Sequence, residues 1–169
     1  MKRILTLLSV LVMLVTLPAA AQKKVVDQTR VKQLVMQNAA ALGFDKTALE
    51  NYRVANAYFD EISGSVIAYL QQTYQGIDVY NAISSVSFKN EKLIANSSAW
   101  VTNLESIAKG LQGKSSVLPI TALKAAAQSI GLNAGKVNIF AKSKSADNLQ
   151  YVFDKADIAF NDITVHQMW

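Results

Sequence analysis

The sequence predicts an α+β fold made of two small modules in tandem, each a helix packed on one face of an antiparallel meander. Three observations lead there. Residues 62–101 hold the densest β-forming composition, broken by clear turn chemistry; residues 27–42 carry a helical apolar period just before them; and residues 117–169 return to a helix followed by strand-like runs. About half of the 169 residues are apolar, 17% are charged, and there are two prolines, which is the composition of a globular chain and not of a disordered one.

The globular part is expected to begin at Gln22. Lys2 and Arg3 precede an unbroken apolar run over residues 4–17, closed by Pro18-Ala19-Ala20-Ala21, the pattern of a secretory signal peptide cut between Ala21 and Gln22. The run is shorter than the ~20 apolar residues a membrane span needs. A secreted or periplasmic protein with no membrane attachment after signal removal is therefore expected. The chain has no cysteine, so disulfides, thiol catalysis and cysteine metal sites are excluded and stability must come from the core. Losing Lys2 and Arg3 lowers the formal charge from +5 to +3, and the remaining basic residues are scattered, so no nucleic-acid partner is expected.

In residues 27–42, Val31, Leu34, Val35, Asn38 and Leu42 fall on one helical face, Asp27 can cap the start and Gly43 can end the helix in the left-handed region. Residues 45–50 can add one helical turn. Residues 52–58 have strand composition, and Asp60-Glu61-Ile62-Ser63-Gly64 turns into the central strand. On that strand Ala68, Leu70, Gln72 and Tyr74 share one face, and Ile67, Tyr69, Gln71 and Thr73 the other. The adjacent glutamines serve either contacts to a partner or hydrogen bonds to loop backbone inside the domain. The step Gln75-Gly76 ends the strand; residues 83–88 alternate, with Ile83, Val86 and Phe88 among serines; and Lys89-Asn90-Glu91 turns into residues 92–97.

These residues carry a resemblance. The run Tyr69-Leu70-Gln71-Gln72-Thr73-Tyr74-Gln75-Gly76-Ile77-Asp78-Val79-Tyr80, followed by a hairpin with a Lys-Asn-Glu-Lys turn, resembles the fungalysin/thermolysin propeptide domain. Gln71, Gln72, Tyr74, Gly76, Ile77 and Val79 match its motif. Asp78 stands where proline is usual, which frees φ and is expected to loosen the turn.

Residues 109–116, KGLQGKSS, read as a linker between residues 22–108 and a second module over residues 117–169. There a helix starts near Pro119, with Thr121 as another possible cap; Ile120, Leu123, Ala127 and Ile130 line one face, and Gly131 ends it. Strands are expected at residues 136–141, 149–153 and 163–169, with a polar loop over 142–148. This half is similar to the PepSY-type module of fungalysin-type precursors, notably Lys155-Ala156-Asp157-Ile158 before Asp162-Ile163-Thr164-Val165. The family's module usually continues beyond the Met168-Trp169 position, so the resemblance implies a truncated one.

No catalytic constellation is legible. His166 is the only histidine, no HExxH or Gly-x-Ser-x-Gly occurs, and neither phosphate-binding glycine pattern is present. No cofactor is expected in this chain; zinc would belong to a catalytic domain outside it. The resemblance implies a propeptide that inhibits and helps fold a metalloprotease catalytic domain, its partner in cis in a full precursor. A free-standing secreted or periplasmic binding or protease-inhibitor module is the other class the residues allow. Interface candidates are Tyr69, Tyr80, Trp100 and Trp169, since Tyr and Trp dominate interface hot spots, with the domain's own core as the competing use for Tyr69 and Trp100. N-terminal mass spectrometry of exported protein is expected to read Gln22 as the first residue; retention of residues 4–17 would place the chain at the membrane instead.

Overall fold

In the computed structural model, which describes residues 24–134 and 138–169, an aspartate cap starts the first long helix. The Asp27 carboxylate accepts from the Thr29 N–H at 2.7 Å and the Arg30 N–H at 3.4 Å, opening α1 (Gln28–Gln37) after the two-residue strand β1 (Lys24–Val25). The expected signal peptide and its expected cleavage site lie outside the described residues. Val31, Leu34 and Val35 are the buried stripe of α1. The helix does not run unbroken to Leu42, as the apolar period predicts: Asn38, with φ −108 and ψ 16, separates α1 from α2 (Ala39–Leu42), which ends at Gly43 with φ 71. The cause is the use made of the Asn38 side chain. Its amide donates to the Leu34 carbonyl and the Glu91 carbonyl, both at 2.8 Å, and its carbonyl accepts from the Leu93 N–H at 2.9 Å. Asn38 thus ties the helix to a hairpin more than fifty residues away.

After α3 (Lys46–Glu50), capped by Asp45, four strands follow as a meander: β2 (Tyr52–Asp60), β3 (Ser65–Tyr74), β4 (Ile77–Lys89) and β5 (Lys92–Ser98). With β1 they make an antiparallel sheet in the order β1-β2-β3-β4-β5. Both short hairpins have two-residue loops with positive φ at each central residue, Gln75 (50) and Gly76 (77), then Asn90 (48) and Glu91 (66), the signature of a type I′ turn. Glu91 tolerates this conformation because it is held twice: its carboxylate pairs with Arg30 at 2.5 Å, and its carbonyl takes the Asn38 amide.

The register pairs Val54 with Leu70, Ala68 with Val86 and Val66 with Phe88, so these residues share the face that α1 covers. There Val31, Leu34, Val35, Val54, Ala57, Ala68, Leu70, Val86 and Phe88 form one core, flanked by Phe44, Tyr52 and Trp100. Ile83 is not part of it: 43% exposed, it pairs with Gln71 on the opposite face, while Ala82 and Ser84 turn inward. Period-two counting back from Val86 and Phe88 gives the same faces, since the register is unbroken from Phe88 to Ile83; it is the hydropathy of Ile83 beside Ala82 and Ser84 that misleads.

The remainder begins with α4 (Leu104–Ile107) and an irregular segment that includes residues 109–116. In α5 (Pro119–Ser129) Pro119 occupies the first helical position, where its missing N–H costs nothing, so Thr121 lies inside the helix and is not a cap. Leu123 and Ala127 are buried, whereas Ile130 is 74% exposed, because the helix ends at Ile130 and turns away through Gly131 at φ 81. The strand expected at 136–141 is displaced: residues 135–137 lie outside the described residues, 138–140 are not strand, and β6 is Ala141–Lys144. Its sheet continues with β7 (Gln150–Phe153) and β8 (Ile163–His166), in the order β6-β7-β8, all antiparallel. The β6–β7 turn starts only at Ser145, whose hydroxyl accepts from the Gln150 N–H at 2.9 Å, and that pairing lets the strand extend through Lys142–Lys144.

These burials set an expectation. Leu70→Ala should cost about 2–5 kcal/mol of stability in chemical denaturation, whereas Ile83→Ala, on the helix-free face, should cost roughly 1 kcal/mol or less. Equal costs would contradict the assignment of the two faces.

Candidate functional site

β3 and β4 fall out of step between the pairs Gln71↔Ile83 and Thr73↔Asp78, so two residues of advance on β3 face five on β4. The surplus forms a bulge through Val79, Tyr80, Asn81 and Ala82, with Asn81 at φ 57. Carbonyls in such a bulge lose their ladder partners and need others. Gln71, only 4% exposed, supplies them: its side-chain nitrogen lies 2.7 Å from the Val79 carbonyl, 3.0 Å from that of Gln72 and 3.3 Å from that of Ala82. Gln72 works on the opposite face. Its amide accepts from the Val101 N–H at 2.8 Å and donates to the Val101 carbonyl at 2.9 Å, imitating a strand neighbour for the segment after β5. Both glutamines therefore serve backbone within the domain.

Asp78 does not loosen the turn, contrary to what its place in the sequence implies. Its carboxylate, with a side chain 7% exposed, receives Arg53 Nε at 2.7 Å and Nη2 at 2.5 Å in a two-point pair that crosses over β3. That hydrogen bonding holds the Arg53 guanidinium above its ordinary pKa. The bond to β2 replaces the rigidity that a proline would bring.

The other motif residues line the hairpin end. Ile77 and Val79 are buried, and Gly76 supplies the second positive φ of the turn. The Tyr74 carbonyl accepts from the Trp169 indole N–H at 2.8 Å, and the two rings meet edge to face with centroids 5.4 Å apart. Of the four aromatic interface candidates, Tyr80 is the most exposed at 66%, carried outward by the bulge. Tyr69 is half-buried on the face without a helix, between Asn56 and Ser85. Trp100 stacks on Phe44 with centroids 4.2 Å apart and belongs to the core, its indole nitrogen 3.4 Å from the Leu70 carbonyl. Trp169 is half-buried against Tyr74.

Residues 50–98 match the Fungalysin/Thermolysin Propeptide Motif. The match begins just before β2 and ends with β5, so it coincides with the meander that holds both glutamines, the bulge and the Arg53–Asp78 pair. No curated protein matches the chain. Among the described residues, no group of three or more His, Cys, Asp or Glu side chains is placed to hold a metal ion, and His166 is exposed on β8 opposite Gln150. No helix among them is long and apolar enough to cross a membrane.

The residues that sequence reasoning missed are Asn38 and Arg53. Asn38 has the helical spacing of an apolar-face residue, and only its polar side chain hinted at a tie. Arg53 carried no signal beyond its charge in a strand.

The Gln71 clamp can be tested through its donor. Gln71→Glu keeps the shape but puts a carboxylate among three carbonyls, and should lower stability by more than Gln71→Met, which is expected to cost about 1–3 kcal/mol. Denaturation of the two variants checks the order, and a milder effect of Glu would mean that the amide donor is not what holds the bulge.

Proposed function

We propose that this chain is the propeptide region of a secreted fungalysin/thermolysin-type metalloprotease precursor, acting as inhibitor and folding assistant for a catalytic domain outside these 169 residues. The observation that carries the reading is the propeptide-motif match over residues 50–98, on a meander whose bulge is held by the buried side-chain amide of Gln71. In this reading the first module ends near Ala108, residues 109–116 link it to a second, PepSY-type module, and export follows from the apolar leader with cleavage before Gln22. The zinc and the hydrolytic chemistry belong to the catalytic domain.

A proregion works by covering a folded enzyme, so its surface must be broad. Stable interfaces bury about 1,200–2,000 Å². The face of the larger sheet opposite α1 offers Ile67, Tyr69 and Ile83 in neighbouring register positions, and the bulge adds the exposed Tyr80 ring at its margin. Such a surface suits an apolar contact with an aromatic anchor.

The test adds the chain starting at Gln22 to a fungalysin-type catalytic domain from the same genome and follows residual proteolysis. Inhibition in the micromolar range or tighter is expected, weakened about tenfold or more by Tyr80→Ala, with folding verified by circular dichroism. A folded chain that inhibits nothing at micromolar concentration would remove the propeptide reading and leave a free-standing binding module.

A further inference from the structure

Past Ile83 the β4 strand loses its neighbour on one side. β5 pairs with β4 only between Ser84 and Lys89, and among the described residues the Ala99 N–H to Ile83 carbonyl bond at 3.3 Å is the last backbone hydrogen bond between that edge and the segment following β5. Beyond it, the backbone groups of Asp78 and Tyr80 point away from β3. Unpaired strand edges of this kind are templates for another strand.

The edge is filled by residue 169. The Trp169 N–H donates to the Asp78 carbonyl at 2.9 Å, and the Tyr80 N–H donates to the Trp169 carbonyl at 3.0 Å. One residue bonding to positions on either side of Val79 is the pattern of a parallel bridge. The indole has a seat of its own: the Tyr74 carbonyl takes its N–H, the Tyr74 ring meets it edge to face, and Gly113 lies under it. A Cβ at Gly113 would stand 3.4 Å from Trp169 Cζ2 and 3.1 Å from Ile77 Cδ1, at a φ of +64 that favours glycine. The Gln167 side chain donates to the Gly113 carbonyl at 2.7 Å, so the approach to the seat is also fixed.

We propose that this edge of β4, with the indole seat beside it, is a strand-addition site for an extended segment bearing a tryptophan, and that residues 167–169 occupy it as an internal ligand. The recognition elements are complete: one backbone acceptor at Asp78, one backbone donor at Tyr80, and a pocket that reads both the ring and its N–H. Because residues 167–169 continue directly from β8, filling the site also latches the three-stranded sheet onto the five-stranded one. The proposal stands independently of the propeptide assignment.

Hydrogen exchange of the Tyr80 amide in the full chain reads occupancy directly. In Trp169→Ala this amide should exchange about tenfold faster or more, while those of Leu70 and Val86 keep their protection. A synthetic peptide with the sequence of residues 163–169, added at ~1 mM, should restore protection, whereas the same peptide with alanine for tryptophan should not. Unchanged exchange at Tyr80 in the variant, or no restoration by the tryptophan peptide, would overturn the proposal. If Trp169→Ala also loses protection at Leu70 and Val86, Trp169→Phe decides, since it keeps a ring but not the indole donor: faster Tyr80 exchange than in the parent supports the site, and equal exchange refutes it.

Discussion

The side-chain amide of Gln71 is the interaction on which the bulged end of the larger sheet depends. Without a donor at that place, the carbonyls of Val79 and Ala82 would face a buried space unpartnered, and each such group costs about 1–3 kcal/mol. An ordinary ladder would supply the partners only by removing the surplus residues from β4. That would eliminate the bulge, and with it the outward Tyr80 ring and the placement of the Asp78 and Tyr80 backbone groups on the edge that Trp169 fills. One buried polar side chain therefore determines which residues β4 shows to its surroundings. The core on the other face does not need it: Leu70, Val86 and Phe88 pack under α1 in regular register.

The parts of the fold legible in the sequence are those governed by neighbours in the chain. Asp27 before a helical period, Gly43 after it, Gln75-Gly76 between two β-rich runs and Pro119 at a helix start each act within a few residues, where local rules suffice. The parts that were not legible join distant positions. Asn38 reaches Leu93 across 55 residues, Arg53 reaches Asp78 across 25, and Trp169 reaches Tyr74 across 95. The bulge shows how one such event spreads. A surplus in β4 takes residues 79–82 out of pairing with β3 and carries Tyr80 outward, while Ile83, in regular register with Phe88, is exposed and Ala82 buried, the reverse of what their hydropathy alone suggests. At the site, the glutamine pair stood out in the sequence as unusual polar residues on a half-buried strand, but whether they served a partner or nearby backbone depended on register.

Asp78 shows how the same local requirement is met by different physics. A proline at this position, usual in the motif the sequence resembles, would stiffen the hairpin by restricting the unfolded chain, worth roughly 0.4–1 kcal/mol where the native φ suits it. Asp78 gives no such restriction. It ties β4 to β2 through Arg53, and the balance of that tie is set by its unequal burial: the carboxylate is almost wholly shielded, whereas half of the Arg53 side chain remains in water. The exposed guanidinium keeps much of its hydration, so the pair avoids the full desolvation cost of two buried charges, yet water screens part of the attraction as well. The two-point geometry is then the larger gain, because it fixes the direction of the Asp78 backbone. A proline would constrain φ but would leave the strand free to twist about β3. The arginine bridge constrains the strand across the sheet, and it is this cross-sheet restraint that holds the Asp78 carbonyl at the edge where Trp169 meets it.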